Sequence, residues 1–233
     1  MLSLVVAWLR TLAAYLVVST YVLLVGPPGI ALALAFRWPM VLYWLGLHGI
    51  RLGLWLVGIR VVGHGTEHVV AGRAAVYCVN HASNLEPPAI FLFLRPLFPR
   101  LQLIYKKELA RTPILGRVWS VAGFIPIDRR DRAQSNAAIE QAARQMAEGN
   151  SFLVFPEGTR SRTGELLPFK KGAFVLALKA RAPVVPVAII GAADAMRRGS
   201  PVIPPPTVHG GVGGPGFTPP PGWDGRDALL THG

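Results

Sequence analysis

The sequence has 233 residues, a length that suits one domain with a sizeable core and an additional segment. Charged residues make up only 15% of the chain and hydrophobic residues 52%, and the apolar excess lies in the first sixty residues. The net charge of +12 fits nucleic acid, an anionic membrane surface or phosphorylated substrates. The apolar N-terminus favours membrane and phosphate, and the lack of zinc-ligand spacing, a helix-turn-helix pattern and an aromatic RNA-binding motif disfavours nucleic acid.

Two apolar stretches open the chain, over residues 1–25 and 30–59. The intervening Gly-Pro-Pro-Gly at 26–29 is predicted to end the first helix, so residues 1–60 form an apolar helical hairpin. Residues 11–25 are shorter than the roughly 20 apolar residues that span a bilayer, which favours insertion into one leaflet over two full spans. A hairpin packed on the domain is the alternative. A signal peptide is disfavoured because apolar sequence resumes after the turn.

Short apolar runs of strand length alternate with helical segments between residues 61 and 198. The predicted strands are 75–79, 101–105, 124–127, 151–155 and 184–190. The predicted helices are 87–94, 132–148 and 173–180. This alternation predicts an α/β catalytic domain with a mostly parallel core sheet flanked by helices. The uninterrupted apolar run 184–190 predicts a strand buried on both faces.

The C-terminal segment 199–233 is rich in proline and glycine, and we expect it to be irregular. Cys78 is the only cysteine, which excludes an intrachain disulfide and a cysteine metal cluster. Its apolar surroundings predict a small buried hydrophobe rather than a nucleophile. The lack of disulfides fits a reducing compartment.

A first group of candidate functional residues follows the predicted strand that ends at Val79. Asn80 and His81 come first, Glu86 follows, and Pro87 suits the first turn of a helix. A turn between His81 and Glu86 can bring their side chains together. A carboxylate hydrogen-bonded to one imidazole nitrogen fixes the tautomer, and the other nitrogen can then act as a general base for a hydroxyl. A structural role for the pair is the alternative.

Two further groups also follow predicted strands. Residues 155–161 read Phe-Pro-Glu-Gly-Thr-Arg-Ser, in which Gly158 lets a ligand approach the backbone, and Thr159 and Arg160 offer donors to phosphate oxygens. Because strand-end loops on one edge of a parallel sheet bind ligands in α/β folds, we expect these groups to form one site. A solvated charge run is the alternative. The remaining cations of interest lie in segments 106–116, 123–129 and 170–172.

These residues resemble the glycerolipid acyltransferase family, which includes 1-acyl-glycerol-3-phosphate acyltransferases. Four ordered blocks mark that family: Asn-His with an acid five positions after the histidine, a Lys-Glu-Leu to Ile-Asp-Arg segment, Phe-Pro-Glu-Gly-Thr-Arg-Ser, and an apolar strand around a proline. All four occur here in that order over residues 76–190. The matching residues are Asn80, His81 and Glu86, then 107–109 with 127–129, then 155–161, and finally 185–187.

The resemblance implies transfer of a fatty acyl group from acyl-CoA or acyl-carrier protein to the free hydroxyl of 1-acyl-glycerol-3-phosphate, giving phosphatidic acid in phospholipid biosynthesis. It implies His81 and Glu86 as catalytic residues, with no metal, no cofactor and no covalent acyl-enzyme. The substrate-binding residues it implies are Lys107, Arg129, Glu157, Gly158, Thr159, Arg160 and Lys171.

Two features depart from that family. Glu86 stands where the family usually has Asp, which keeps the charge but adds a methylene, and the C-terminal segment is richer in proline and glycine than the family's usual ordered end. We expect membrane lipids as partners and a bacterial inner membrane as the location, with the catalytic domain on the cytoplasmic side. The alternatives are acylation of another lysolipid, or a catalytically silent lipid-binding membrane protein of the same fold.

Overall fold

The computed structural model describes residues 2–69, 71–196, 202–205 and 207–214, with side chains from residue 4 onward. Two apolar helices come first, α1 (Leu2–Ala35) and α2 (Met40–Val57). They pack antiparallel, and Gly49 and Gly53 of α2 leave room for Tyr21 and Val18 of α1. The predicted helical hairpin is therefore present.

The predicted helix break at residues 26–29 is wrong. Helix α1 continues through both prolines, and the turn of the hairpin lies at residues 36–39. Each proline removes one backbone N–H donor from the helix. Gly26 compensates by close packing, since a Cβ at this position would overlap the side chain of Ile114. Packing on neighbouring helices offsets the lost hydrogen bonds. The helix-breaking residues at 26–29 do not reveal that packing from the sequence alone.

Both hairpin helices are long and apolar enough to cross a membrane, judged by length and composition alone. Helix α1 has 34 residues and is about 51 Å long at 1.5 Å per residue. Its outer face is not covered by the domain, since Leu9 and Leu24 are 62% and 70% exposed, and Phe36 in the following turn is 71% exposed. This exposure is at odds with a hairpin buried within the protein.

A seven-stranded sheet forms the rest of the fold among the described residues. Its strands are β1 (Arg60–His64), β2 (Val76–Val79), β3 (Leu101–Lys106), β4 (Ile125–Ile127), β5 (Ser151–Val154), β6 (Val184–Ile190) and β7 (Thr207–Val212). The spatial order is β1-β7-β6-β2-β5-β3-β4, and only the β6–β7 pair is antiparallel. The predicted mostly parallel core sheet is confirmed. The predicted domain boundary at residues 60–61 falls inside β1.

Helices cover both faces of this sheet. They are α3 (Glu86–Phe93), α4 (Leu115–Val121), α5 (Arg132–Ala147), α6 (Gly172–Ala180) and the short α7 (Ala192–Ala195). Side chains alternate along β2, so Val76 packs with α5 and α6, whereas Tyr77 and Val79 face α3 and the hairpin. The hairpin is therefore part of one core layer.

Two predictions for the C-terminal half are wrong. Strand β6 is not buried on both faces, because helices α5 and α6 leave one of its faces uncovered and Ile190 is 68% exposed. Within the segment predicted to be irregular, Thr207–Val212 forms β7. Gly210 is required in this strand, since a Cβ at that position would overlap the ring of Phe93. Residues 215–233 of that segment lie outside the described residues.

Candidate active site

The site lies where the chain leaves β2 and enters α3. His81 is in the connecting loop, and Glu86 is the first residue of α3. Nδ1 of His81 lies 2.7 Å from Oε2 of Glu86, whose side chain is only 1% exposed. Its second oxygen, Oε1, accepts the backbone N–H groups of Ala82 at 2.7 Å and Ser83 at 3.0 Å. The loop therefore folds around the carboxylate and brings the predicted pair together.

Glu86 determines which imidazole nitrogen of His81 is available. An ionised carboxylate only accepts hydrogen bonds, so Nδ1 carries a hydrogen and donates it. Nε2 then keeps its lone pair and can accept a proton. This is the arrangement that a histidine general base and its orienting acid require.

The loop after β5 holds His81 from three sides. Strands β2 and β5 are parallel neighbours, so Phe155 lies beside the loop after β2, and its ring stacks on the imidazole with centroids 4.1 Å apart. Oε1 of Glu157 accepts the backbone N–H of His81 at 2.6 Å. The N–H of Ser161 donates to the His81 carbonyl oxygen at 2.7 Å. Residues 155–161 therefore position the histidine.

Asn80 fixes the same loop to strand β6. Its side-chain amide donates to the Ile189 carbonyl at 2.9 Å and accepts the Ile189 N–H at 2.7 Å. Ser83 adds a longer bond, from its hydroxyl to the Met196 carbonyl at 3.3 Å. No catalytic or binding role is predicted for Asn80, Phe155 or Ser161 from the sequence. The signal in the sequence for contact between residues 80–86 and 155–161 is that each segment directly follows a predicted strand.

Gly158 is contacted by two cations, one of which, Arg129, is a predicted substrate-binding residue. Its φ of +71° lies in the left-handed region that favours glycine. The guanidinium of Arg129 donates to the Gly158 carbonyl, and the stem of Lys170 passes over its Cα. Desolvation lowers the pKa of Arg129 from its ordinary value, and the nearby Glu108 carboxylate opposes that shift. Thr159 and Arg160 follow Gly158 directly.

The two predicted substrate-binding lysines are Lys107, which contacts the start of α5, and Lys171, which lies at the start of α6. Lys107 donates to Gln134 at 2.8 Å and has Asp128 at 4.0 Å, so it is engaged at the start of α5. Lys171 is exposed at the N-cap of α6. Within the described part of the chain, neither forms a hydrogen bond or ion pair with His81 or Glu86.

An apolar cavity of about 490 Å³ lies between the hairpin and the domain, and neither dyad residue lines it. Leu85 and Pro87, the neighbours of Glu86 in the chain, line one side, and residues of α1 and α2 such as Val22 and Leu45 line the other. A second, open pocket of about 400 Å³ lies around Tyr105 and α4 and includes neither dyad residue. Of these two, the first is apolar and is lined by the chain neighbours of Glu86.

The geometry agrees with comparisons of the whole chain. The acyltransferase family model matches residues 60–190, which contain the dyad and the loop that holds it. The chain belongs to the acyltransferase family. A 1-acyl-sn-glycerol-3-phosphate acyltransferase of Limnanthes douglasii is 38% identical over 178 residues, which are 74% of this chain and 61% of the plant protein. The chain thus spans about three fifths of the length of that relative.

A bacterial relative and a solved structure are also similar. The 1-acyl-sn-glycerol-3-phosphate acyltransferase of Borreliella burgdorferi is 33% identical over 140 residues, which are 60% of this chain and 55% of that protein. The crystal structure of the 1-acyl-sn-glycerophosphate (LPA) acyltransferase PlsC from Thermotoga maritima superposes with a TM-score of 0.81, at 23% identity, covering 98% of this chain and 92% of that one. At this identity the structural likeness shows the fold, including the hairpin.

Proposed function

We propose that this protein moves a fatty acyl group from an acyl thioester to the free hydroxyl of 1-acyl-glycerol-3-phosphate, giving phosphatidic acid. The observation that carries the proposal is the His81–Glu86 hydrogen bond, which leaves Nε2 free to take a proton from a hydroxyl. The names of the relatives in Limnanthes and Borreliella support this choice of acceptor.

The reaction needs one base and no covalent intermediate. Nε2 of His81 takes the acceptor's hydroxyl proton as the hydroxyl oxygen attacks the thioester carbonyl carbon. The C–S bond then breaks, and the imidazolium returns the proton to the departing thiolate, so that an ester and a thiol result. Glu86 balances the positive charge that His81 carries in between. A thioester is already activated toward oxygen nucleophiles, so we assign no step to a metal ion or a cofactor.

The acceptor's phosphate suits the cations around Gly158. Arg160 can approach a phosphate with a bidentate guanidinium, and the hydroxyl of Thr159 is a further donor. Arg129 is already anchored at the Gly158 carbonyl. Lys171 lies at the exposed start of α6. Lys107 is hydrogen-bonded to Gln134 of α5, so we assign Lys107 a weaker part in phosphate binding.

The apolar cavity suits an acyl chain. It is lined by Leu85 and Pro87, the chain neighbours of Glu86, and by the hairpin and α4, so we place the acyl chain there with its carbonyl end toward His81. We assign acyl-CoA or acyl-carrier protein as the donor.

We infer membrane attachment from the exposed apolar face of the hairpin. Its outer face is exposed and apolar, with Trp38 and Trp55 suited to the bilayer interface. Its inner face packs on the domain, with Gly26 against Ile114 of α4. A full crossing by the hairpin would draw α4 into the hydrocarbon, so we propose insertion into one leaflet. The location we propose is the cytoplasmic side of a bacterial inner membrane.

A panel of lysolipid acceptors with one labelled acyl thioester tests the proposed function. We expect the purified protein to acylate 1-acyl-glycerol-3-phosphate faster than lysolipids with larger head groups. Faster transfer to another lysolipid would move the acceptor assignment to that lipid. A lack of thioester consumption with every acceptor would show a catalytically silent lipid-binding protein.

Release and labelling experiments test the membrane proposal. We expect detergent, and not high salt, to release the protein, because apolar burial exceeds the roughly 1 kcal/mol contributed by each basic residue near anionic lipids. A Phe36→Cys variant places a thiol at the turn of the hairpin, where Phe36 is exposed. We expect no labelling of this thiol by an impermeant maleimide from the side opposite the catalytic domain. Labelling from that side would establish a full span.

A further inference from the structure

We propose that Glu157 is a positioning residue that acts on the reaction through the backbone of His81 and does not touch the acceptor. This inference rests on the proposed function. It differs from the expectation that the resemblance gives, in which Glu157 belongs to the acceptor site.

Both carboxylate oxygens of Glu157 are engaged within the protein. The residue is 2% exposed. Its Oε1 accepts the N–H of His81 at 2.6 Å, and its Oε2 accepts the N–H of Leu167 at 3.0 Å. Charge-assisted bonds of this kind are about twice as strong as neutral ones. Glu157 thereby joins the loop that carries the base to the loop between β5 and α6.

The two bonds at His81 act on different peptide groups. The N–H held by Glu157 belongs to the peptide before the Cα of His81, and the carbonyl held by Ser161 belongs to the peptide after it. Holding both peptide planes fixes the φ and ψ angles of His81. The direction of its side chain, and hence of Nε2, depends on those angles.

Charge also argues against contact between Glu157 and the acceptor. The acceptor carries a phosphate, and a carboxylate beside it would repel it. The phosphate donors lie on the neighbouring residues Thr159 and Arg160. Glu157 therefore has both oxygens bonded to backbone N–H groups in a buried position, and its charge has the wrong sign to attract the phosphate.

The test compares Glu157→Gln with Glu165→Gln, which removes an exposed carboxylate from the same loop. A glutamine offers one acceptor oxygen for two buried N–H groups, so one of the two loops is released. A catalytic group misplaced by about 1 Å costs about a hundredfold in rate. We therefore expect Glu157→Gln to lower kcat about a hundredfold and to leave the acceptor KM within about twofold, with Glu165→Gln unchanged in both.

A rise in acceptor KM of tenfold or more in Glu157→Gln, with kcat nearly unchanged, would overturn the inference. Glu157→Asp is the second variant, and it serves if the glutamine variant does not fold. It keeps the charge but lacks a methylene and cannot span both N–H groups. We expect a smaller fall in its kcat at an unchanged acceptor KM, and a changed acceptor KM would contradict the positioning role.

A second measurement separates this inference from the proposed function. We compare binding of 1-acyl-glycerol-3-phosphate in detergent micelles to His81→Ala and to His81→Ala/Glu157→Gln. The two affinities should agree within about twofold if Glu157 acts only through His81. Weaker binding by the double variant would overturn the positioning role. Normal turnover by His81→Ala would instead refute the proposed mechanism.

Discussion

Glu86→Gln is the sharpest perturbation of the dyad because it keeps the size of the side chain and exchanges one acceptor oxygen for a donor. Oε1 of Glu86 accepts two backbone N–H groups, from Ala82 and Ser83, while Oε2 accepts Nδ1–H of His81. The single oxygen of a glutamine can accept either the two backbone N–H groups or Nδ1–H of His81, but not both. If its oxygen stays with the backbone, its NH₂ group faces Nδ1, which must then become the acceptor.

The energies of the two arrangements decide between them. Turning the amide around would keep the histidine tautomer but would leave two N–H groups of the loop unpaired, at about 1–3 kcal/mol each. The first arrangement is therefore favoured, and it places the hydrogen of His81 on Nε2, where it blocks proton uptake. The corresponding tautomer error in a serine protease triad lowers kcat about 10⁴-fold. We expect a loss of about 10³- to 10⁴-fold, or about 4–5.5 kcal/mol at 1.36 kcal/mol per factor of ten.

The assay is the initial rate of phosphatidic acid formation from a labelled acyl thioester, together with the melting temperature of each variant. Glu140→Gln is the control, since Glu140 is a half-exposed acid on α5 paired with Lys179. Glu86→Asp keeps the carboxylate and the tautomer, so we expect it to retain more activity than the glutamine variant. A folded Glu86→Gln protein within tenfold of the wild-type rate would refute the tautomer argument.

Three further predictions concern binding, packing and the lone thiol. Arg160→Ala should raise the acceptor KM about ten- to hundredfold, since a charged hydrogen bond contributes about 1.5–3 kcal/mol, whereas a change in donor KM alone would assign Arg160 to the donor. Gly210→Ala should cost about 1–3 kcal/mol in urea unfolding because its Cβ would overlap Phe93, while Gly211→Ala, which faces open space, should be near neutral; equal midpoints would contradict this packing. Burial raises the pKa of the Cys78 thiol to about 12, so iodoacetamide at pH 8 should alkylate the native protein far more slowly than the unfolded one, and equal rates would contradict that burial.

The dyad could be predicted from sequence because it is local. Five positions separate His81 from Glu86, and a strand before them with a proline after them indicates a turn. The support around His81 could not be predicted in the same way. Glu157 lies 76 residues further along the chain, and its contact with the His81 N–H depends on the pairing of β2 with β5. Local patterns carry no information on that register.

Two of the three wrong predictions, the helix break at 26–29 and the irregular C-terminal segment, share one physical cause, because tertiary contacts of glycine override the local propensities of glycine and proline. Proline in the first helix and glycine in the C-terminal segment indicate breaks and irregular chain by propensity. In the fold, Gly26 lets α1 pack on Ile114, and Gly210 lets β7 pack on Phe93. At both positions the absent side chain is what permits the element to form where it does.

The central claim is that Nε2 of His81 takes the proton from the acceptor hydroxyl. The most direct test is the rate of phosphatidic acid formation by His81→Ala protein, with its fold verified by melting temperature and with 1-acyl-glycerol-3-phosphate and the thioester both saturating. Loss of a general base predicts a fall on the order of 10²- to 10⁴-fold. Turnover near the wild-type rate by the folded variant would contradict the account.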